Sequence, residues 1–70
     1  MKHIEIYREP VELYKLLKFE GLASSGGEAK IFIAEGLVAV NGEIETRKRK
    51  KMVSGDILEF AGERFCVQLA

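Results

Sequence analysis

The spacing of apolar positions changes several times along the 70-residue chain, and each change marks a predicted element. Ile4 and Ile6 alternate with polar neighbours, which is typical of a short strand over residues 2–7. Leucines at positions 13, 16 and 17 then recur at helical spacing after Pro10, a residue suited to the first turn of a helix. Because Gly21 can end a helix, we expect the first helix to run from Pro10 to about residue 20.

A second helix is predicted from Ser25 to about residue 35. Ser25 and Glu28 form a capping box, in which each side chain satisfies a free backbone N–H group at the helix start. Apolar residues at positions 29, 32 and 33 share one face of this helix. Gly36 can adopt the left-handed conformation that ends it.

The remainder of the chain has the pattern of strands and turns. Strands at 37–40 and about 43–46 flank Asn41-Gly42, which is a strong hairpin signal. The turn at 53–56 leads into a strand at 57–60, and the turn at 61–63 leads into a strand at 64–69. We therefore expect one α+β domain over residues 1–70, with two packed helices against a small, mostly antiparallel sheet.

Composition restricts the class of protein. An apolar fraction of 47% is typical of a globular chain. The single cysteine, Cys66, excludes an internal disulfide, and its place between Phe65 and Val67 predicts a half-buried, unreactive thiol. No apolar run approaches the ~20 residues of a membrane span, and the N-terminus lacks the apolar stretch of a secretory signal. We expect a cytoplasmic protein.

The net charge of zero conceals an uneven distribution. Eleven Lys and Arg residues balance eleven Asp and Glu residues, but residues 47–51, Arg-Lys-Arg-Lys-Lys, hold five of the cations. We call these five residues the basic segment. The rest of the chain keeps six cations against eleven anions, a net charge of −5. Such a molecule attracts a polyanion at the basic segment and repels it elsewhere.

In this order the elements resemble the S4 RNA-binding domain family, also called the αL motif, and in particular its short stand-alone bacterial members. The resemblance spans residues 11–60. It implies the same α+β fold and binding of structured RNA, such as ribosomal or transfer RNA, through shape and phosphate contacts. The residues that carry it are Leu13, Leu17, Gly21, Leu22, Ala23, Ser24, Ser25, Glu28, Ala29, Ile33, Gly36, Val38, Val40, Asn41, Gly42, Gly55 and Asp56.

The chain departs from the family pattern at two places. Many members carry Arg-Leu-Asp near the start of the first helix, where this chain has Glu12-Leu13-Tyr14, and many carry an arginine after the capping serine, where it has Gly26. We expect other groups to contact phosphate instead, including backbone amides at the start of the second helix. The predicted RNA-binding residues are Lys15, Lys18, Ser25, Gly26, Gly27, Lys30, Arg47, Lys48, Arg49, Lys50 and Lys51.

Several of the predicted RNA-binding residues, and some aromatic and apolar residues near them, also have a purely structural interpretation. The basic segment could be a solvated loop, although five adjacent like charges are hard to order without an anionic partner. Ser25 could serve only to cap the second helix, and the two following glycines could serve only to form the turn. Tyr14 and Phe19 could stack on bases, but partial burial against the core is the favoured interpretation. Ile31 points away from the apolar helix face, towards a sheet edge or a partner.

Catalysis finds little support in the sequence. No nucleophile–base set, phosphate-binding loop or cluster of metal ligands is present, and His3 stands alone. We therefore predict a monomeric, non-enzymatic RNA-binding protein with no cofactor, no small-molecule substrate and no membrane partner. Two alternatives remain open: a DNA-binding protein, and an adaptor that docks on an acidic protein through Ile31 and Phe19.

Overall fold

The structure, a computed structural model, describes residues 1–70 and contains seven strands and two helices. The chain begins with two strands, continues with two consecutive helices and ends with five strands. The bounds of these elements are β1 (Lys2–Ile6), β2 (Val11–Glu12), α1 (Leu13–Phe19), α2 (Gly26–Ala34), β3 (Val38–Val40), β4 (Glu43–Ile44), β5 (Lys51–Met52), β6 (Ile57–Phe60) and β7 (Glu63–Leu69).

Five strands form the main sheet, in the order β1-β7-β6-β3-β4. Only β1 and β7 are parallel, with Ile4 opposite Val67, and the other pairs in the sheet are antiparallel. The remaining two strands, β2 and β5, form a separate antiparallel pair beside α1. The predicted α+β class with a mostly antiparallel sheet is thus confirmed.

The core lies between the helices and one face of the sheet. Every one of its fourteen buried residues is hydrophobic, so no buried charge has to be satisfied inside. The three leucines of α1 are buried as their spacing predicted. Alternation along the strands supplies the rest of the layer, as with Val38 and Val40 in β3 and Phe65 and Val67 in β7.

The first helix begins three residues later than predicted. Val11 and Glu12 lie in β2, opposite Met52 and Lys51 of β5, so Pro10 precedes a strand rather than a helix. The first amides of α1 are satisfied by distant main chain: Leu13 N donates to Lys50 O at 2.9 Å, and Tyr14 N donates to Lys48 O at 3.1 Å. Glu12, at the N-cap position, makes no side-chain cap, because this long-range pairing takes its place.

The second helix follows its local signals. Ser25 Oγ accepts a hydrogen bond from Glu28 N at 3.1 Å, and the Glu28 carboxylate accepts from Ser24 N at 2.7 Å. The return bond of the capping box therefore reaches the residue before the cap. The helix ends at Ala34, and Gly36 has a φ of +77°, as the predicted stop requires.

Two turns meet at the C-terminal end of β3. Asn41 occupies the left-handed region at a φ of +53° in the predicted hairpin. Its side chain donates to Asp56 Oδ1 at 3.1 Å and accepts from Ile57 N at 2.9 Å, which ties the hairpin to the turn before β6. Strand β4 ends at Ile44, short of the predicted residue 46, because the chain leaves the sheet after Glu45 N donates to Val38 O at 2.9 Å.

Neither of the two helices has the length and apolar run that crossing a membrane would need.

Candidate nucleic-acid interface

The basic segment has a defined backbone path along the start of α1. The carbonyls of Lys48 and Lys50 accept the bonds from α1 described above, and Lys50 N donates to Arg47 O at 3.2 Å within a turn. Lys51 then enters β5 opposite Glu12. Hydrogen bonds of its main chain therefore fix the path of the basic segment.

One carboxylate gathers cations from two elements. Glu12 lies 3.4 Å from Lys15 Nζ, 3.3 Å from Arg49 Nη1 and 3.8 Å from Lys51 Nζ. We call Glu12 with these three cations the Glu12 cluster. The Glu12 side chain is only 17% exposed, whereas those of Lys15, Arg49 and Lys51 are 46%, 61% and 64% exposed. The cationic groups thus lie on the solvent side of the carboxylate.

A second carboxylate holds Arg47. Its guanidinium makes a two-point contact with Glu45, from Nε at 2.8 Å and from Nη2 at 3.1 Å, so its fork is directed back onto the protein. Lys48 and Lys50 make no ion pair. With Glu12 and Glu45 counted against its five cations, the basic segment keeps a net charge of +3, so the carboxylates reduce its positive field without cancelling it.

The pKa values of these groups follow from their contacts. Partial burial by itself raises the pKa of Glu12, but hydrogen bonds from Arg49 and Lys15 and the charge of Lys51 outweigh it and lower that pKa. The hydrogen bond from Arg47 lowers the pKa of Glu45. The pKa of Arg49 is raised, first by Glu12 and then by Tyr14. Every one of these groups is fully charged at neutral pH.

Tyr14, like Glu12, has cations from several elements around it. Its ring has Lys30 Nζ at 4.6 Å, the Arg49 guanidinium carbon at 5.3 Å and Lys15 Nζ at 5.9 Å from the centroid. These are distances at which cations are attracted by an aromatic ring. The ring also packs against the core, so the predicted partial burial of Tyr14 is correct. With cations around it, the ring serves to collect positive charge from α1, α2 and the basic segment.

The start of α2 adjoins this ring. A Cβ added to Gly26 would lie 3.5 Å from Tyr14 Cε2, so the two helix starts are in contact here. Ser25 Oγ is already engaged by Glu28 N, whereas the amides of Gly26 and Gly27 donate to no acceptor within the chain. Tyr14 and Gly26, one from each of the two departures from the family pattern, are therefore neighbours in space.

Some predicted groups lie apart from this surface. Lys18 is exposed in the last turn of α1 and makes no ion pair. Phe19 is 68% exposed, so its predicted partial burial is wrong: it follows the last buried leucine at a position that turns away from the core. Ile31 is 57% exposed and does point away from the buried face of α2. Cys66 is a free, half-buried thiol, as predicted.

Three residues of the surface, Arg8, Glu12 and Tyr14, were not among the predicted RNA-binding residues. Arg8 lines a groove of about 260 Å³ together with residues of the Glu12 cluster and Pro10 and Val11. In the sequence, Glu12 indicated only the absence of an arginine. Its role depends on Arg49 and Lys51, which reach it through the β2–β5 pairing, and no local pattern around residue 12 signals that pairing.

Comparison with known proteins gives the same assignment from sequence and from structure. The model of the S4 domain matches residues 4–68. YbcJ of Escherichia coli (strain K12), named for an inferred RNA-binding role, is 60% identical over 52 residues, which is 74% of each chain. RlbA of Bacillus subtilis (strain 168), named for an inferred role in ribosome maturation, is 39% identical over 59 residues, covering 84% of this chain and 83% of that protein.

The fold agrees with the sequence match. The solution structure of Escherichia coli YbcJ, described as revealing an αL motif involved in RNA binding, superposes with a TM-score of 0.73 at 49% identity. The superposition covers 97% of this chain and 87% of that one. The predicted resemblance is confirmed, and the chain belongs to the S4 domain family.

Proposed function

We propose that this protein binds structured RNA through phosphate and shape recognition, using the surface formed by the starts of α1 and α2 and the basic segment. The observation that carries the proposal is the convergence of Lys15, Lys30 and Arg49, from three separate parts of the chain, on the ring of Tyr14. Outside the basic segment the chain carries a net charge of −5. Positive charge gathered at one place on such a molecule provides a directional site for a polyanion.

The relatives support the choice of RNA as the polyanion. Both YbcJ descriptions refer to RNA binding, and RlbA is associated by name with ribosome maturation. We therefore assign ribosomal RNA as the first candidate ligand, with transfer RNA as the second. Phosphate contacts alone carry no sequence information, so selection between these RNAs depends on the shape of the helices and loops presented to the surface.

The contacting groups in this proposal are the predicted ones together with Arg8. The amides of Gly26 and Gly27 donate to phosphate oxygens beside the Ser25 cap. Lys30 and the Glu12 cluster supply charge around Tyr14, and Lys48 and Lys50 extend the surface. Arg47 contributes less, because Glu45 occupies its fork. Lys18 lies at the rim. We further propose a single-domain, monomeric, cytoplasmic protein that binds RNA without catalysing a reaction.

The proposal is tested by comparing two double variants of equal charge. R49A/K51A removes two cations from the surface, and K2A/R64A removes two cations from β1 and β7, where they pair with Glu63 and Glu59. Each double variant lowers the net charge by the same amount and breaks two or more exposed ion pairs. We expect R49A/K51A to lose at least about tenfold in affinity for a labelled RNA stem–loop, and K2A/R64A to lose much less.

The salt dependence and a competitor complete this test. The slope of log affinity against log salt is negative, and its magnitude should decrease by about 1.8 for R49A/K51A if both residues contact phosphate. In the control it should stay near the wild-type value. Equal losses in the two variants would show that only net charge matters and would remove this surface as the site. Competition by duplex DNA as effective as by RNA would favour the DNA-binding alternative.

The adaptor alternative has one observation in its favour, the exposure of Phe19 and Ile31. It predicts a protein complex that survives nuclease treatment and is lost in F19S/I31S. RNA binding by that variant at wild-type affinity would place the two activities on different surfaces.

A further inference from the structure

We propose that Glu12 is a positioning residue of the RNA-binding surface, which holds Lys15, Arg49 and Lys51 together so that their outward donors meet phosphate oxygens. This inference rests on the proposed function. It assigns to an acidic residue a role in binding a polyanion, which is the opposite of what its charge alone indicates.

The first support is the layering of the Glu12 cluster. The carboxylate is 17% exposed, and all three cationic groups are at least 46% exposed, so the carboxylate lies beneath them. A lysine has three donors and an arginine five, and contact with one shared carboxylate uses a small part of that capacity. The remaining N–H groups are available to an RNA phosphate approaching from solvent.

The second support is that backbone hydrogen bonds fix the main chain that carries Glu12. Glu12 lies opposite Lys51 in the β2–β5 pair, and the next two residues anchor α1 through Leu13 N and Tyr14 N on the basic segment. The main chain at Glu12 cannot move away without disturbing these bonds. A carboxylate that only occupied the phosphate position in the absence of RNA would instead be expected on an exposed, flexible side chain.

The third support is electrostatic. Lys15, Arg49 and Lys51 come from a helix, a turn and a strand, and without an anion between them their charges repel one another. A shared counter-charge allows three long side chains to occupy one place before RNA arrives. Pre-ordering of this kind lowers the entropy that binding must otherwise overcome. The groove beside the cluster, lined by Arg8, Lys15 and Lys51, has its acidic group at Glu12.

The test compares two isosteric substitutions that change the net charge equally. Glu12→Gln removes the shared carboxylate, and Glu35→Gln removes an exposed carboxylate at the C-terminal end of α2, which makes no ion pair. Affinity for the labelled RNA stem–loop is measured at several salt concentrations. We expect E12Q to bind about threefold or more weakly, with a salt slope lower by about 0.9 for each phosphate that the variant no longer neutralises. E35Q should bind slightly more tightly, because it removes a repulsive charge.

Each outcome of this comparison has a distinct meaning. Affinity of E12Q equal to or above that of E35Q, with an undiminished slope, would overturn the positioning role and show that Glu12 simply repels RNA. The effect of E12Q should shrink in an R49A background, because the carboxylate acts through Arg49; undiminished loss in E12Q/R49A would count against the proposal. Thermal unfolding of both single variants checks that the fold is retained.

A measurement without RNA keeps this inference distinct from the proposed function. Nitrogen-15 relaxation of the Arg49 Nε group reports its mobility in the free protein, which should rise in E12Q and stay unchanged in E35Q. Unchanged mobility in E12Q would refute the positioning role even if the wild-type protein binds RNA. Raised mobility together with no RNA binding by the wild type would refute the proposed function instead.

Discussion

At the scale of single residues, the pair formed by Tyr14 and Gly26 is the clearest specialisation of this chain. Both positions depart from the family pattern, and the structure puts them in contact at the starts of the two helices. A long side chain at position 26 would have to pass the Tyr14 ring. With glycine there, the ring lies over the start of α2 and draws Lys30 towards the cations of α1 and the basic segment.

Replacing Tyr14 with leucine tests this role. Leucine keeps the packing against the core but has no aromatic face, so the cation–π attraction of about 0.5–1 kcal/mol at an exposed site is lost. We expect Y14L to bind RNA about twofold to fivefold more weakly, with little change in thermal stability. Tyr7 is exposed and has no cation near its ring, so Y7L is the matched control. Equal affinities of Y14L and Y7L would contradict the role.

Residue-scale prediction from the sequence succeeded where the cause was local. The Ser25 cap and the left-handed Gly36 depend on neighbours within a few positions, and both were predicted correctly. The exposure of Phe19 was missed, because helical spacing alone did not show where α1 stops packing. The contact between Glu12 and Arg49 was missed because the two residues lie 37 positions apart in sequence.

At the scale of elements, α2 was predictable and the start of α1 was not. Every signal that begins and ends α2 lies within or beside it, whereas α1 is capped by carbonyls of the basic segment. The same long-range pairing creates β2 and β5, two strands of two residues each, which are too short to produce an alternating pattern. Neither strand can therefore be detected from the sequence alone.

At this scale Asn41 is the residue whose side chain joins two turns. Asn41→Ala removes the bonds to Asp56 and Ile57 and places alanine in the left-handed region. We expect the free energy of unfolding to fall by about 1–2 kcal/mol, measured from urea denaturation. Glu43→Ala alters an exposed neighbour that makes no ion pair and should change it by less than about 0.5 kcal/mol. A similar loss in both variants would show that the side-chain hydrogen bonds of Asn41 do not stabilise the fold.

At the scale of the whole molecule, the arrangement of charge matters more than its sum. A neutral composition predicted no partner, and the run at residues 47–51 did. The sequence could not show that Glu12 lies beside this run, because the pairing of β2 with β5 brings it there. Glu45 is only two positions from Arg47, but a pattern of residue types does not show that the two side chains meet. These two carboxylates lower the net charge of the basic segment from +5 to +3, while Lys15 and Lys30 add cations to the same surface from the two helices.

These ion pairs also predict how stability changes with acid. The pKa of Glu45 is lowered in the folded protein, chiefly by the hydrogen bond from Arg47, and that of Glu12 is lowered too. Stabilisation of this kind is complete above the ordinary pKa of 4.5 and is lost as the pH falls from there through the lowered folded-state pKa. The urea midpoint should therefore decrease below about pH 4.5.

Glu45→Gln should make this decrease shallower, because one of the groups with a lowered pKa is then missing. The control is Glu43→Gln, which removes a nearby exposed carboxylate without an ion pair and should leave the acid dependence as in the wild type. The measurement is a series of urea midpoints from neutral pH to about pH 3. The same acid dependence in E45Q as in the wild type would show that the Arg47 ion pair does not stabilise the fold.

The capping of α1 by the carbonyls of Lys48 and Lys50 has a consequence for how this protein can be altered. Carbonyl oxygens are common to all twenty amino acids, so the capping of α1 does not depend on which side chains stand at positions 48 and 50. Proline is excluded at positions 47 and 50, since Arg47 N donates to the Glu45 carboxylate and Lys50 N donates to Arg47 O. This short stretch is accordingly a natural place to randomise, and selection from such a library could redirect a very small fold to new ligands while its architecture is preserved.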